Sequence, residues 1–190
     1  MQLIVYCSGS IQKGASDSRK ICWTERERAA VASGAQPAHV VFLNPDDPAP
    51  DLNDTAALFG RDMYQVQSAD AVIVDARERR GIGIGIEMLA SRLFGTLLVA
   101  VVPPDTYYRM NNLTYRGSTV TQYVHPHLAI LADGIVETFE DAGCWLRDQK
   151  AAGARPKGIE SLEAAIDAYR ERMLPQDEPM MTILRLLGRS

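Results

Sequence analysis

The stretch from residue 68 to residue 102, SADAVIVDARERRGIGIGIEMLASRLFGTLLVAVV, restricts what the chain can fold into more than any other part of it. Residues 71–74 are an apolar, β-branched run too short for an isolated helix, residues 85–94 form a helical segment that stops at Gly95, and a second apolar run follows. The order is therefore strand, glycine-rich loop, helix, strand. In such units ligands collect at the carboxyl ends of the strands, where the loop after the first strand leads into the helix. Glu87 falls in the first turns of that helix, near an N-terminus whose partial positive charge favours an ionised carboxylate. The pattern predicts an anionic carboxylate held at the rim of a pocket.

The flanking sequence extends the same alternation. Residues 3–7 read as a buried strand with Cys7 as a small hydrophobe at its end, followed by Ser8-Gly9-Ser10. The missing Cβ of Gly9 lets a backbone N–H approach a sugar or phosphate, although a plain connecting turn has the same composition. A helix over 16–33 turns Trp23 and Ala29 or Ala30 to the sheet, a second strand covers 39–43, and a proline- and aspartate-rich loop follows. A helix over 55–67, capped by Asp54 or Asn53, places Phe59, Met63 and Val66 on one face with Asp62 at its border. An ordinary solvated carboxylate also occupies such a border.

Residues 103–121 read as an irregular, aromatic- and amide-rich segment. Its Tyr107, Tyr108, Asn111, Asn112 and Tyr115 suit stacking on a nucleobase or packing against a partner subunit, the latter being the more common use. A short last strand over 122–124 and a long helix over 128–149 are expected next. His125 and His127 lack a third ligand nearby and are separated by Pro126, so a metal site is not expected and the imidazoles cap and pack at the helix start. AAGARPKG at 151–158 breaks the chain before an amphipathic helix over 159–173. The expected architecture is an α/β fold, a flavodoxin- or Rossmann-like open, mostly parallel five-stranded sheet with helices on both faces. Residues 1–150 form this domain, and 151–190 a helical extension packed on it or on a partner.

Composition narrows the function classes. A net charge of −4 without a lysine or arginine run leaves no footprint for a nucleic-acid polymer. Cys7, Cys22 and Cys144 form neither a CxxC pair nor an even set, against a disulfide framework or structural zinc. The N-terminal apolar run is one strand long and no 18-residue apolar stretch occurs, so neither a signal peptide nor a membrane span is expected, and a cytoplasmic protein is.

Three segments taken together, YCSGSI from Tyr6, RDMYQVQSADAVIVD around Asp62 and Asp70, and GIGIGIEMLASRLFG around Glu87, resemble the nucleoside 2-deoxyribosyltransferase-like superfamily, nearest to the deoxynucleoside monophosphate N-glycosidases. The resemblance implies Glu87 as the catalytic glutamate, Asp62 as the aspartate assisting at the base or ribose, and Tyr6 as the phenol that orients the glutamate. It implies Gly9, Ser10 and Ile11 as the turn lining the sugar and phosphate, and Gly81, Gly83 and Gly85 as further substrate-binding positions. Gly81 stands where the nucleotide hydrolases carry a phosphate-binding Ser and the transferases an Asp. Gln12, with Lys13 beside it, replaces the Arg of the hydrolases' first loop, and the interval from Asp62 to Glu87 is one residue longer, which brings Arg79 or Arg80 toward a bound anion. It further implies a homodimer or higher homo-oligomer with a shared active site to which Asn112 and Tyr115 contribute in trans.

The chemistry of those residue types agrees. Breaking a C1'–N bond develops an oxocarbenium-like sugar that a carboxylate attacks or stabilises, and a base leaves more readily when a second acid protonates it. The expected function is cleavage or exchange of the N-glycosidic bond of a nucleoside or nucleoside 5'-monophosphate without a cofactor or metal. The alternatives are a noncatalytic nucleotide-binding or nucleotide-sensing module on the same fold, and an interaction protein in which both acids are surface charges.

Overall fold

The pleat of β1 (Gln2–Ser8) sorts the interior into two layers. Leu3, Val5 and Cys7 point into one apolar cluster and Tyr6 into the other. β3 (Ala71–Asp75) and β4 (Leu97–Val101) repeat the division, with Ala71, Ile73, Leu97 and Val99 on the first side and Val72, Val74, Leu98 and Ala100 on the second. Both strands are buried along their whole length, as near-continuous apolar runs in a covered parallel sheet must be.

This is a computed structural model, and it describes residues 2–11, 23–49, 51–79, 81–115 and 117–189. The sheet order is β2-β1-β3-β4-β7, all parallel, with β2 at His39–Leu43 and β7 at Gly134–Val136. That is the flavodoxin-like order, with its reversal at β1 and β3. The helices α1 (Glu25–Gly34) and α5 (Phe139–Ala152) cover one face. On the other lie α2 (Thr55–Ser68), α3 (Ile82–Phe94) and α4 (Pro126–Leu131). α1 and α5 touch backbone to backbone: a Cβ on Gly34 would stand 2.0 Å from the Glu140 carbonyl oxygen, and one on Gly143 2.1 Å from that of Val31.

One device repeats at the amino-terminal edge of the sheet. Asp70, just before β3, donates its N–H to the Ile4 carbonyl at 2.8 Å and accepts the Ile4 N–H on Oδ2 at 2.8 Å. Asp133, just before β7, makes the same pair of bonds with Leu98, at 2.7 and 2.8 Å. Each carboxylate takes an N–H that the strand ladder has not reached. Asp133 is also gripped by the buried Arg92, whose Nη1 and Nη2 lie 2.9 and 2.8 Å from its two oxygens. Arg92 donates further to the carbonyls of Thr96 and Lys157, which anchors the segment after α5.

Several expected elements differ. The segment read as irregular, 103–121, contains most of an antiparallel ribbon, β5 (Arg109–Tyr115) paired with β6 (Ser118–Val124), so residues 122–124 belong to this ribbon and the fifth strand of the main sheet is β7. Gly117 turns the ribbon at φ +81°, a conformation that favours glycine. The expected helix over 128–149 is α4, β7 and α5 in succession. Thr138 ends the extended stretch by accepting the Asp141 N–H at 3.0 Å, while Asp141 returns a bond to the Thr138 N–H at 3.2 Å, a capping box that restarts the helix. The helix expected over 16–33 begins, among the described residues, at Glu25: Trp23 lies ahead of it at φ +60°, outside the helical region, and Thr24 is its extended N-cap.

The chain falls into two compact units, Met1–Gly158 and Ile159–Ser190, so residues 151–158 go with the first. The second consists of α6 (Glu160–Arg172), a short 3-10 turn, and α7 (Glu178–Leu186). Tyr169 donates to Asp177 Oδ2 at 2.8 Å, and Asp177 Oδ1 accepts the Met180 N–H at 3.1 Å, joining the two helices.

Candidate active site

Tyr6 and Ser8 are two residues apart on β1, so both side chains leave the same face of the sheet at its carboxyl end. Glu87 reaches them from α3 across the switch point of the strand order. Tyr6 Oη donates to Glu87 Oε1 at 2.9 Å, and Ser8 Oγ donates to Oε2 at 2.5 Å. All three side chains are buried, Glu87 at 5% exposure. A buried carboxylate with a hydroxyl donor on each oxygen is fixed in one rotamer and one plane.

The electrostatics pull in two directions. Burial pushes the Glu87 carboxyl above the ordinary glutamate range, the Ser8 and Tyr6 hydroxyls draw it back, and the nearby Asp62 charge raises it again. Burial also drives the Tyr6 phenol far up, with the Glu87 and Asp62 charges adding to it, so Tyr6 keeps its proton and acts only as a donor here. Asp62, half-buried on α2, is raised by burial and lowered in part by Arg61. Asp62 thus acts electrostatically on both Tyr6 and Glu87.

Glu87 is the sixth residue of α3, which starts at Ile82 rather than Gly85, so it lies in the second turn and no acid occupies the first. The expected helix-dipole support is correspondingly weak, because that effect fades beyond the first turn. The two hydroxyl donors take its place. Ser8 was not among the residues expected from the sequence; the period-two spacing from Tyr6 on a strand was the signal that could have found it.

The remaining expected residues divide. Gly83 adjoins the carboxylate, since a Cβ there would stand 3.8 Å from Glu87 Oε1. Gly9, Ser10 and Ile11 follow directly on Ser8 and are half-buried. The carbonyl of Ser8 is held by Trp23 Nε1 at 3.1 Å, which ties the end of β1 to a buried indole. Gln12, Lys13 and Arg80 lie outside the described residues. Asn112 stands on the exposed face of the ribbon opposite Thr121, and Tyr115 opposite Ser118, so the structure brings neither to Glu87 within the chain. Asp70, part of the quoted motif, is the edge clamp described above. Burial opposes its charge, but the Lys150 ammonium and the Ile4 N–H outweigh that and hold its carboxyl below the usual range.

Arg79, Gly81 and Gly85 line a different cleft on a neighbouring face of α3, with Tyr107, Tyr108, His125 and His127. The imidazoles pack edge to face, centroids 5.0 Å apart, and neither caps α4 through its side chain. On the opposite face of the sheet, buried Asp75 pairs with Arg77 at 2.9 Å, and Arg77 also binds Glu27 and lies 4.7 Å over the Phe139 ring. That cluster joins β3 to α1 and α5. Among the described residues there is no group of three or more His, Cys, Asp or Glu side chains able to hold a metal, and no helix long and apolar enough to cross a membrane. No protein-family model matches the chain, and no curated protein matches its sequence.

Proposed function

We propose that the protein cleaves or exchanges the N-glycosidic bond of a nucleoside or nucleoside 5'-monophosphate. The observation that carries this reading is the buried Glu87 carboxylate, fixed by Tyr6 and Ser8 at the carboxyl end of a parallel sheet with Asp62 acting on the same site. The resemblance of the three segments around Tyr6, Asp62 and Glu87 supports the same chemistry.

In this reading Glu87 faces the anomeric carbon. As the C1'–N bond breaks, its electron pair leaves with the base and Asp62 supplies the proton that neutralises it. Burial raises the Asp62 carboxyl above its ordinary range, which favours the protonated form this step draws on. Glu87 forms the glycosyl ester or stabilises the cation, and water or a second base then takes the sugar. Tyr6 and Ser8 keep the carboxylate aimed and draw its raised pKa part of the way back. The protein works as a homodimer or higher homo-oligomer in the cytoplasm, with Asn112 offered to a partner's site. Support for assembly comes from α3, where Ile82, Ile86, Leu89 and Leu93 form an exposed apolar stripe at helical spacing.

The test is release of free base from a panel of nucleosides and nucleoside 5'-monophosphates. Glu87→Ala is expected to remove the activity, by about a thousandfold or more, while the protein stays folded. Saturable nucleotide binding with no base released from any member of the panel would replace this reading with the noncatalytic one.

A further inference from the structure

Ser8 reaches Glu87 from the last residue of β1, where the sheet holds the backbone less firmly than at Tyr6. β2 ends at Leu43, level with Tyr6, so among the described residues the ladder beside Ser8 continues on the β3 side, at Val74. On its carbonyl Ser8 has a different partner, the indole Nε1 of Trp23 at 3.1 Å.

Trp23 is itself placed by groups on the other side of the sheet. Its ring is 1% exposed, lies in the apolar cluster under α1 and α5, and meets Phe139 edge to face at 5.0 Å. Its backbone stands at φ +60°, a conformation that a bulky side chain rarely adopts. The Arg28 guanidinium donates to its carbonyl at 2.5 Å, and the N–H of Thr24 beside it is held by Glu27 at 2.7 Å. Strain of this kind persists where the surroundings over-determine a residue, and it gathers at functional sites. The bond that leads from this cluster toward the carboxylate is the one to Ser8.

We infer that Trp23 is a positioning residue for Glu87: by fixing the Ser8 carbonyl it keeps the end of β1 from fraying and so holds the Ser8 hydroxyl on Glu87 Oε2. The line Trp23, Ser8, Glu87 runs from the layer under α1 and α5 to the carboxylate on α3. The inference deepens the reading of the Glu87 site, and its first test does not need the glycosidase chemistry.

Carbon-13 NMR of the Glu87 carboxyl in the intact chain reads the link without substrate. Burial raises the Glu87 pKa and the Ser8 hydroxyl draws it down, so loss of that donor sends it further up. Trp23→Phe keeps a ring against Phe139 and removes the N–H, and it should raise the Glu87 pKa in the direction of Ser8→Ala. In the Ser8→Ala chain the same substitution should add nothing, because the route through the hydroxyl is already cut. Asp62 and Tyr6, the titratable groups that act on Glu87, are common to all four chains. An unmoved Glu87 pKa in Trp23→Phe, or an equal rise with and without Ser8, overturns the inference.

Should Trp23→Phe not fold, the two indole N–H signals of the unsubstituted chain decide. That of Trp23 should move as Glu87 ionises and lose this step in Glu87→Gln, whatever Glu27 and the Asp75–Arg77 pair contribute through Phe139. That of Trp145 is the reference, and a Trp23 signal indifferent to Glu87 overturns the link. In base release, Trp23→Phe should lower kcat about tenfold with KM little changed, and a change confined to KM overturns the positioning role. Absence of base release from the unsubstituted chain removes the glycosidase reading and leaves the NMR result to decide.

Discussion

Glu87 is a case of a side chain placed where its charge is costly. Burial raises its pKa above the value it has in the unfolded chain, so the folded state prefers the protonated form. The stability that follows is complete below the ordinary glutamate range and is lost as the pH rises through the raised folded value. Above the raised folded value the ionised carboxylate therefore destabilises the protein. Glu87→Gln should raise Tm at pH 7, with the gain shrinking to nothing as the pH falls into the ordinary glutamate range. A variant that melts lower at pH 7 would mean that the two hydroxyl bonds outweigh the burial.

Tyr6 acts on the same balance from the other side. Its phenol favours the anion, and in Tyr6→Phe the Glu87 carboxyl loses one of the two donors that draw it down. The acid limb of the base-release pH profile should move to higher pH. The rate constant kcat should fall about ten- to a hundredfold, the worth of a hydrogen bond to a charged group, with KM little changed. An unmoved acid limb would leave Tyr6 a packing residue. Tyr6 was legible in the sequence through the quoted segments; Ser8 was overshadowed by the turn it opens, although the strand's alternation pointed to it.

At the scale of elements, the edge clamps decide whether a strand docks at all. β7 is three residues long and makes little ladder of its own, so Asp133 and Arg92 supply much of what holds it beside β4. Asp133→Ala leaves the Arg92 guanidinium buried without its counter-ion, and such losses cost about 3–5 kcal/mol. Chemical denaturation should show a loss of that size, and one under about 1 kcal/mol would mean that Arg92 finds water or another acceptor. The same short strand explains why residues 128–149 read as a single helix. Three residues carry no measurable period, while the helical segments on either side do. The capping box at Thr138 and Asp141 was the local sign of a restart. In the ribbon, Gly117 and the β-branched residues after it were the corresponding sign, masked by the amides and tyrosines around them.

For the molecule as a whole, the exposed stripe on α3 matters most. Ile82 is 86% exposed and Leu93 62%, on the helix that carries Glu87. Contiguous apolar surface of this kind marks a contact face. If copies pair through it, the protein should run at twice 20.9 kDa or more in light scattering, and Leu93→Glu should return it to the mass of one chain. Wild-type protein at the single-chain mass would remove the assembly and with it a shared site. Leu93→Glu is not expected to lower Tm of the single chain, because the side chain is already in water.

The amino-acid sequence by itself determined the α/β layers and the first four strands of the main sheet. Buried parallel strands, the helices between them and the helical face bearing each acid follow from apolar periodicity and from stop signals such as Gly95, which are properties of neighbouring residues. Tertiary structure decided what each face meets. Tyr6 and Ser8 lie 81 and 79 residues from Glu87, and no local period specifies the partner of a hydroxyl at that distance. The same holds for the Arg92–Asp133 grip and for the separation of the ring-lined cleft from the carboxylate. Periodicity sets the direction of a side chain relative to its own element, and only the packing of elements against one another sets what stands opposite.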